Sequence, residues 1–331
     1  IKPRDYQIEA YKFAIEHERG MVISPTASGK SLIIYMLCRH YLNMINNNIL
    51  IIVPTTSLVE QLYKDFKDYG YDVETNVSRK YHGYDIDEGK RIVISTWQSL
   101  YKMPKKFFED YGAVIGDEAH LFKAVSLTKI MTKLTDCKYR IGLTGTLDDS
   151  KTHKLVLQGL FGTVNRVVST KQLIDKKQLA QLKVMCLNLK YPEIEAKKVY
   201  GVKYFEELEY LTQNTARNKY IRNLALALKG NTLLLFQLVE KHGEILFNLI
   251  KEKADPKRKV FFVYGGTETD DREKIRAITE KSDNAIIVAS FGTFSTGINI
   301  RNLHNIVFSS PSKSPIRILQ SIGREIGRAH V

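Results

Sequence analysis

The sequence has 331 residues, 44% hydrophobic and 26% charged, so it is long enough to bury a substantial core in about two domains. This composition excludes disordered and collagen-like chains. No apolar run reaches the ~20 residues that a membrane-spanning helix needs, and the first residues lack the basic and then apolar pattern of a secretory signal. We therefore expect a soluble, cytoplasmic protein.

The cysteines predict neither a metal site nor a disulfide framework. Cys38, Cys137 and Cys186 lie far apart, without the CxxC spacing of zinc sites. We interpret all of them as small core hydrophobes.

Positive charge is concentrated in the second half of the chain. Residues 1–150 hold 20 basic and 19 acidic side chains, a net charge of +1, whereas residues 151–331 hold 30 and 17, a net charge of +13. Residues 151–229 alone hold 15 and 6, a net charge of +9. Such a surface either binds a polyanion such as nucleic acid or is merely solvated, and charge alone leaves both interpretations open.

Short β-branched runs alternate with helical patterns in the first half, which predicts strand-helix units wound into a parallel sheet. The predicted strands are residues 21–24, 49–53, 91–95, 113–116 and 139–143. Residues 30–44 and 58–69 have the three- and four-residue apolar spacing of helices that pack on a sheet.

The second half resumes this alternation after a basic, strand-poor stretch with helical patterns at 204–211 and 218–228. The later strands are predicted at 232–236, 259–263, 285–289 and 305–308, and the helices at 240–253 and 270–281. The predicted architecture is α/β, with parallel-sheet domains at 1–150 and 230–331 joined by a basic, partly helical connector at 151–229. Because the chain lacks an initial methionine and ends soon after a helical pattern at 315–322, we expect a fragment of a longer protein.

An octet after the first predicted strand has the spacing of a phosphate-binding loop. It consists of Ser24, Pro25, Thr26, Ala27, Ser28, Gly29, Lys30 and Ser31. Small residues let backbone N–H groups surround a phosphate at a helix N-terminus. We expect Lys30 to reach the β- and γ-phosphates of ATP and Ser31 to ligate Mg²⁺. Ser24 replaces the first glycine of the strict pattern, and a chance Gly-Lys-Ser turn is the alternative.

A carboxylate pair follows the predicted strand at 113–116. Asp117 and Glu118 stand at its carboxyl end, where parallel sheets bind ligands, and His120 follows. We expect Asp117 to hold Mg²⁺, Glu118 to activate the water that attacks the γ-phosphate, and His120 to couple this site to its neighbours. Taken singly, the pair could be a solvated turn and the histidine a surface or core residue, but the upstream phosphate loop weakens both alternatives.

Together, the octet and the Asp-Glu-Ala-His run resemble the motifs of superfamily 2 helicases and translocases, and further matches follow in the family's order. The resemblance implies two RecA-like domains. It also implies that Arg4 and Gln7, placed before the first helix, read adenine, that Gly297 and Asn299 bind nucleotide, and that Gln320 and Arg324 make catalytic contacts. Hydrolysis would be coupled to movement by Thr144, Gly145 and Thr146. The implied nucleic-acid contacts are Thr55, Thr56, Thr96, Trp97, Gln98 and Thr293.

Two of these positions carry an alternative or a departure. Trp97 either stacks on a base or fills the core. The last arginine of the family's pattern falls at Gly327, with Arg328 one place later.

The resemblance implies an ATP- and Mg²⁺-dependent DNA helicase or translocase, and a monomer is the default expectation. Its activity would be 3′-to-5′ remodelling of branched DNA or RNA–DNA hybrids in recombination, repair and replication. The alternatives are a nucleotide-gated nucleic-acid-binding or annealing module with weak ATPase activity, an RNA helicase, and a restriction-type translocase subunit. The basic connector either grips a duplex or junction or is a solvated surface; its lysines include Lys176, Lys177, Lys197, Lys198 and Lys203.

Overall fold

The computed structural model describes two compact units, Ile1–Leu179 and Ala180–Val331. The residues described are 1–81, 85–87, 89–123, 125–145, 151–293, 300, 302–314, 318, 321 and 322; of residues 123, 151–153 and 269 only the backbone is described. The division between the units falls inside the predicted connector.

A sheet of seven parallel strands forms the centre of the first unit. The strands are β1 (Arg19–Ile23), β2 (Asn48–Val53), β3 (Val77–Lys80), β4 (Ile92–Thr96), β5 (Tyr111–Gly116), β6 (Tyr139–Thr144) and β7 (Thr163–Arg166). Their spatial order is β3-β4-β2-β5-β6-β1-β7. Because all the strands are parallel, their carboxyl ends share one edge, where α/β proteins bind ligands.

Helices cover both faces of this sheet. They are α1 (Asp5–Glu16), α2 (Lys30–Met44), α3 (Thr56–Asp68), α4 (Val73–Asn76), α5 (Trp97–Tyr101), α6 (Val125–Lys133), α7 (Lys151–Phe161) and α8 (Thr170–Asp175), with 3₁₀ turns at Lys105–Phe108 and Ala119–Lys123. Side chains alternate along a strand, so Ile49 and Ile51 pack with α1, α2 and α3, while Leu50 and Ile52 pack with α5, α6 and α7. This two-sided burial explains the continuous apolar run of β2.

The second unit contains a smaller parallel sheet in the order β11-β8-β10-β9. Its strands are β8 (Thr232–Phe236), β9 (Val260–Val263), β10 (Ile286–Ser290) and β11 (Asn305–Phe308). Its helices are α9 (Glu193–Lys198), α10 (Tyr204–Gln213), α11 (Thr215–Ala227), α12 (Glu244–Lys253) and α13 (Thr269–Glu280), with a π-helical turn at Val239–Gly243. Leu233 and Leu235 pack on one face of the sheet, and Leu234 and Phe236 on the other.

The α/β prediction and the named strands are confirmed, but two local predictions are wrong, those for the position of Gln7 and for Cys186. The first helix begins at Asp5, so Gln7 lies in its first turn and not before it. The range predicted as a strand-poor connector contains the short strand β7, which pairs with β1. Cys38 and Cys137 are buried, but Cys186 is exposed in the extended stretch before α9, so it is not a core residue.

Within the described residues, none of the helices combines the length and the apolar character needed to cross a bilayer.

Candidate nucleotide-binding site

The phosphate-binding octet forms the loop between β1 and α2. Ala27 and Gly29 have φ values of 63° and 77°, in the left-handed region that turns the chain tightly. Gly29 is the N-cap of α2, and its position carries no side-chain cap. The first N–H groups of α2 are therefore placed to bind an anion, which the helix dipole also favours.

Ser24 fits the loop although the strict pattern has glycine there. The φ angle of Ser24 is not positive, so this position does not need the conformational freedom of glycine. The Ser24 hydroxyl donates to Ser28 Oγ at 2.6 Å, and the Ser28 hydroxyl donates to Pro25 O at 2.6 Å. Both serines are fully buried. These hydrogen bonds satisfy the added hydroxyl inside the loop.

Asp117 lies directly after β5 and is 8% exposed. Its backbone N–H donates to Ile52 O at 3.0 Å, which continues the sheet pairing by one residue. Burial, followed by the charge of Glu118, raises the pKa of Asp117 to about 6, and the nearby Lys30 ammonium opposes this rise. The loop lysine and the carboxylate pair therefore share one electrostatic environment at the carboxyl edge of the sheet.

A series of contacts connects the carboxylate pair to the phosphate loop. His120 Nδ1 lies 3.4 Å from Glu118 Oε2 and 3.0 Å from Thr144 Oγ1. Thr144 O accepts the N–H of Ser24 at 2.9 Å. Thr144 thus contacts His120 through its side chain and the phosphate loop through its backbone, and His120 in turn lies beside Glu118.

Gly145 lies against the loop. A Cβ atom at this position would be 3.2 Å from Thr26 N and 3.6 Å from Lys30 Nζ. A side chain would therefore crowd the backbone that surrounds the candidate phosphate position. The absence of a side chain at Gly145 leaves this space open.

Ser31, the expected Mg²⁺ ligand, hydrogen-bonds to a residue that the sequence did not identify. Its Oγ lies 2.7 Å from the hydroxyl of Tyr69, which follows α3. The Tyr69 ring packs against Tyr35, one turn along α2 from Ser31, with 5.4 Å between ring centroids. The contact spans 38 positions, so no local pattern could have revealed it.

Of the two expected adenine-reading residues, Gln7 contacts the loop directly, whereas Arg4 contacts Tyr6. Gln7 is 5% exposed, and its Nε2 donates to Ser28 O and Gly29 O. Tyr6, which sequence reasoning missed, also donates to Ser28 O. Arg4 is exposed, and its guanidinium donates to the Tyr6 hydroxyl at 3.1 Å.

The expected nucleic-acid contacts lie at carboxyl ends of strands in both units. Thr55 follows β2 and accepts the N–H of Leu58, which caps α3. Thr96 ends β4, with Oγ1 3.0 Å from Ser99 Oγ, and Thr293 follows β10, with Oγ1 2.8 Å from Ser290 Oγ. Of the remaining residues, Thr56 and Gln98 are exposed, and Trp97 is half-buried against the apolar cluster beneath α5 and α6.

Some of the expected site residues lie outside the described part of the chain. These are Thr146, Gly297, Asn299, Gln320 and Arg324.

The lysines of the predicted connector differ in their surroundings. Lys197 and Lys198 pair with Glu193 and Glu195 at 2.8 and 2.6 Å on α9. Lys176 and Lys177 are exposed, and the structure describes no ion pair for either.

Two family models match this chain. Residues 1–149 match the model described as type III restriction enzyme, res subunit, and residues 216–330 match the helicase conserved C-terminal domain. The first matched range contains β1 to β6 and the second contains β8 to β11. β7 lies between the two matched ranges in the sequence.

Several known proteins are similar along almost the whole chain. The ATP-dependent DNA helicase uvsW of Enterobacteria phage T4 is 37% identical, over 98% of this chain and 65% of its own length. The DNA 3′-5′ translocase XPB2 of Sulfurisphaera tokodaii is 26% identical, over 98% and 78%. The structure of Saccharomyces cerevisiae Dbp5 bound to RNA and ADP BeF3 matches with a TM-score of 0.65 at 15% identity, over 98% and 80%, which shows a shared RecA-like fold. This chain thus spans slightly less than two thirds of the phage relative.

Proposed function

Because this chain belongs to superfamily 2 of the helicases and translocases, we propose that it is an ATP-dependent DNA helicase or translocase that remodels branched DNA. The observation that carries the proposal is the series of contacts from Ser24 through Thr144 to His120. Thr144 contacts the phosphate loop and His120, and His120 lies beside Glu118, so a change at the loop can be transmitted to the carboxylate pair.

The residues around the loop fit a nucleotide with a divalent cation. Bound Mg²⁺ would neutralise developing charge on the phosphates. Ser31 and Asp117 would hold the ion, and a cation beside Asp117 would stabilise the ionised form of this buried carboxyl. Lys30 would bind the β- and γ-phosphates, and Glu118 would accept a proton from the attacking water. From the family's pattern we add Arg4, Gly297, Asn299, Gln320 and Arg324 as nucleotide contacts.

For the nucleic acid, we propose a single strand held through its phosphates. Thr55 and Thr293 follow strands and Thr96 ends one, each at a carboxyl edge, where hydroxyl and backbone N–H groups can hold a phosphate backbone. Thr56, Trp97 and Gln98 flank two of these positions. Contacts to phosphates carry no base information, so we expect little sequence specificity.

The names of the relatives favour DNA as the substrate. The phage relative is called a DNA helicase and the archaeal one a DNA 3′-5′ translocase. We extend the proposal to RNA–DNA hybrids, a 3′-to-5′ direction, a monomeric motor and a cytoplasmic location, with a role in recombination, repair and replication.

Steady-state ATP hydrolysis with and without single-stranded or forked DNA tests this function. We expect DNA to stimulate ATP hydrolysis by this chain, and we expect Lys30→Ala to abolish ATP hydrolysis. A Gly327→Arg variant restores the arginine of the family's pattern, and hydrolysis only by this variant would still support the motor. Nucleotide-gated DNA binding without hydrolysis by either chain would instead favour a clamp or annealing module.

A further inference from the structure

We propose that the amino edge of the second sheet is a further DNA-binding surface, which holds a duplex arm of a branched substrate through its phosphates. Its basic residues are Lys229, Lys257, Lys259 and Lys281, and we call them the amino-edge lysines. The inference rests on the DNA motor proposed above. It adds a second nucleic-acid contact to that motor, at the edge of the sheet opposite to Thr293.

The amino-edge lysines lie in segments that lead into neighbouring strands. Lys229 precedes β8, Lys257 and Lys259 precede β9, and Lys281 precedes β10. The first residues of these three parallel strands are register partners, so the segments meet at one edge of the sheet. The five residues of β10 separate this edge from the carboxyl edge by about 15 Å. A single strand held near Thr293 therefore leaves the amino-edge lysines to another segment of the DNA.

A cavity of about 570 Å³ lies at this edge, in the size range of ligand-binding clefts. Its lining includes Lys257, Lys259 and the side chains of Ser282 and Asn284, and lysine, hydroxyl and amide groups are common partners of DNA phosphates. None of the described residues that line it is aromatic. Because single-strand sites rely on aromatic stacking, this lining favours the phosphate backbone of a duplex.

The amino-edge lysines keep a positive charge that neighbouring carboxylates do not cancel. All four are exposed, and the described part of the chain shows no ion pair for any of them. Lys253, which also lines the cavity, is different because it pairs with Glu252 at 3.1 Å. Of the acidic residues in the lining, Asp255 Oδ1 accepts the backbone N–H of Lys257 at 2.8 Å, and Asp283 is exposed. Four lysines against these two carboxylates leave a surface that attracts a polyanion.

A buried asparagine holds the loops of this edge together. Asn231 is fully buried, and its Nδ2 lies 3.0, 2.6 and 2.7 Å from the carbonyl oxygens of Thr279, Ser282 and Asn302. Its Oδ1 accepts the N–H of Ala285 at 2.7 Å. The segments before β8, β10 and β11 are thus tied to one side chain.

Arg258 connects the segment before β9 to the same edge. Its guanidinium donates to Leu226 O and Leu228 O at the end of α11, at 2.7 and 2.9 Å, and to Asn284 O at 3.1 Å. Arg258 is therefore engaged within the protein, and we do not count it among the phosphate contacts. The loops that carry the lysines are ordered before DNA binds, which lowers the entropic cost of binding.

Fluorescence anisotropy with labelled forked and single-stranded DNA, measured over a range of salt concentrations, tests the inference. The double variant Lys257→Glu/Lys259→Glu should bind the fork at least about fivefold more weakly near physiological salt, with the slope of log K against log[salt] reduced by about 1 to 2. Its affinity for the single strand, and the stimulation of its ATP hydrolysis by that strand, should stay within about twofold of the parent.

The double variant Lys197→Glu/Lys198→Glu is the matched control. It makes the same change in net charge in the same unit, at exposed lysines that pair with Glu193 and Glu195. Because salt screens charges that are not in contact with the DNA, we expect it to change fork affinity by about twofold or less.

The outcomes separate the surface from the motor. Parental fork affinity in Lys257→Glu/Lys259→Glu would refute the surface, and so would equal losses for fork and single strand or equal fork losses in the two double variants. A parent chain that binds neither DNA would contradict the proposed function itself. Thermal unfolding midpoints verify folding, and if the reversed variant does not fold, Lys257→Gln/Lys259→Gln should show the same fork-selective loss at a smaller size.

Discussion

Thr144 Oγ1 lies 3.0 Å from His120 Nδ1, while the backbone oxygen of the same threonine accepts the N–H of Ser24 at 2.9 Å. Both His120 and Thr144 are buried, with 4% and 0% of their surface exposed. One residue at the end of β6 therefore links the phosphate loop at the end of β1 to the histidine that follows β5. This link can be removed in part, because only one of its two contacts uses a side chain.

Thr144→Val is predicted to uncouple the nucleotide site without removing it. Valine keeps the shape and the backbone bond to Ser24 but loses the hydroxyl that contacts His120. We expect mant-ADP affinity within about twofold of the parent and a loss of about tenfold in the stimulation of ATP hydrolysis by DNA, the scale of a typical coupling energy. The measurement is the ratio of kcat with and without single-stranded DNA. An unchanged ratio would contradict the role of this contact.

Tyr69→Phe is predicted to lower the affinity for the Mg²⁺ that supports nucleotide binding. When Ser31 gives a lone pair to a metal, its hydrogen needs an acceptor, and the Tyr69 oxygen lies 2.7 Å away. Outer partners of metal ligands often contribute tenfold or more to metal affinity. We expect the Mg²⁺ concentration for half-maximal mant-ADP binding to rise about tenfold, with unchanged affinity in EDTA.

Tyr35→Phe is the control for this experiment. The Tyr35 ring packs on Tyr69, but its hydroxyl accepts from Arg39 at 3.0 Å and does not contact Ser31. An equal shift in both variants would attribute the effect to altered packing and refute the specific role of Tyr69.

His242 is predicted to make the second unit less stable in mild acid. The side chain is fully buried, and its Nδ1 lies 2.8 Å from Ser310 Oγ. Burial, with a smaller contribution from Arg217, lowers the pKa of His242 from 6.5 to about 3. Between these two values the unfolded chain binds a proton that the folded chain does not, so stability falls as the pH decreases below about 6.5.

Urea unfolding at pH 7.5 and 5.5 measures this effect. We expect the parent to lose about 1.4 kcal/mol more than His242→Gln between these two pH values, because the variant has no imidazole to protonate. His17→Gln replaces an exposed histidine and should show the pH dependence of the parent. Equal losses in the parent and His242→Gln would show that His242 does not cause the acid sensitivity.

Lys176 and Lys177 are predicted to contribute more to DNA binding than Lys197 and Lys198. The latter pair already neutralises Glu193 and Glu195 on α9. Replacing Lys176 and Lys177 together with glutamate should reduce the slope of log K against log[salt] by about 1 to 2, whereas the same change at Lys197 and Lys198 should have a smaller effect. If neither double variant changes the slope, the connector is only a solvated surface.

Hydrophobic patterning predicted the large elements because their burial is continuous. The helix predicted at 30–44 coincides with α2, and each predicted strand corresponds to a strand in one of the two sheets. β3 and β7 were missed because each has only four residues and carries no apolar run. The start of α1 was missed because its N-cap is Arg4, which is not a typical capping residue.

The motif residues could be predicted from local spacing, but their supporting residues could not. Lys30 and Asp117 stand in recognisable strand-loop contexts. Tyr6 and Tyr69 act through contacts that cross 22 and 38 positions, which depend on helix packing. Gln7 was assigned by family pattern, and its hydrogen bonds to the phosphate loop depend on the packing of α1 against that loop.

The most direct test of the motor is separation of a forked DNA duplex with ATP, comparing the parent chain with Glu118→Gln. We expect the parent to separate strands only with ATP, whereas Glu118→Gln should bind ATP yet separate them at least about 100-fold more slowly, because it lacks the proton acceptor. Strand separation at the parental rate by Glu118→Gln, or ATP-independent separation by the parent, would contradict the proposed motor.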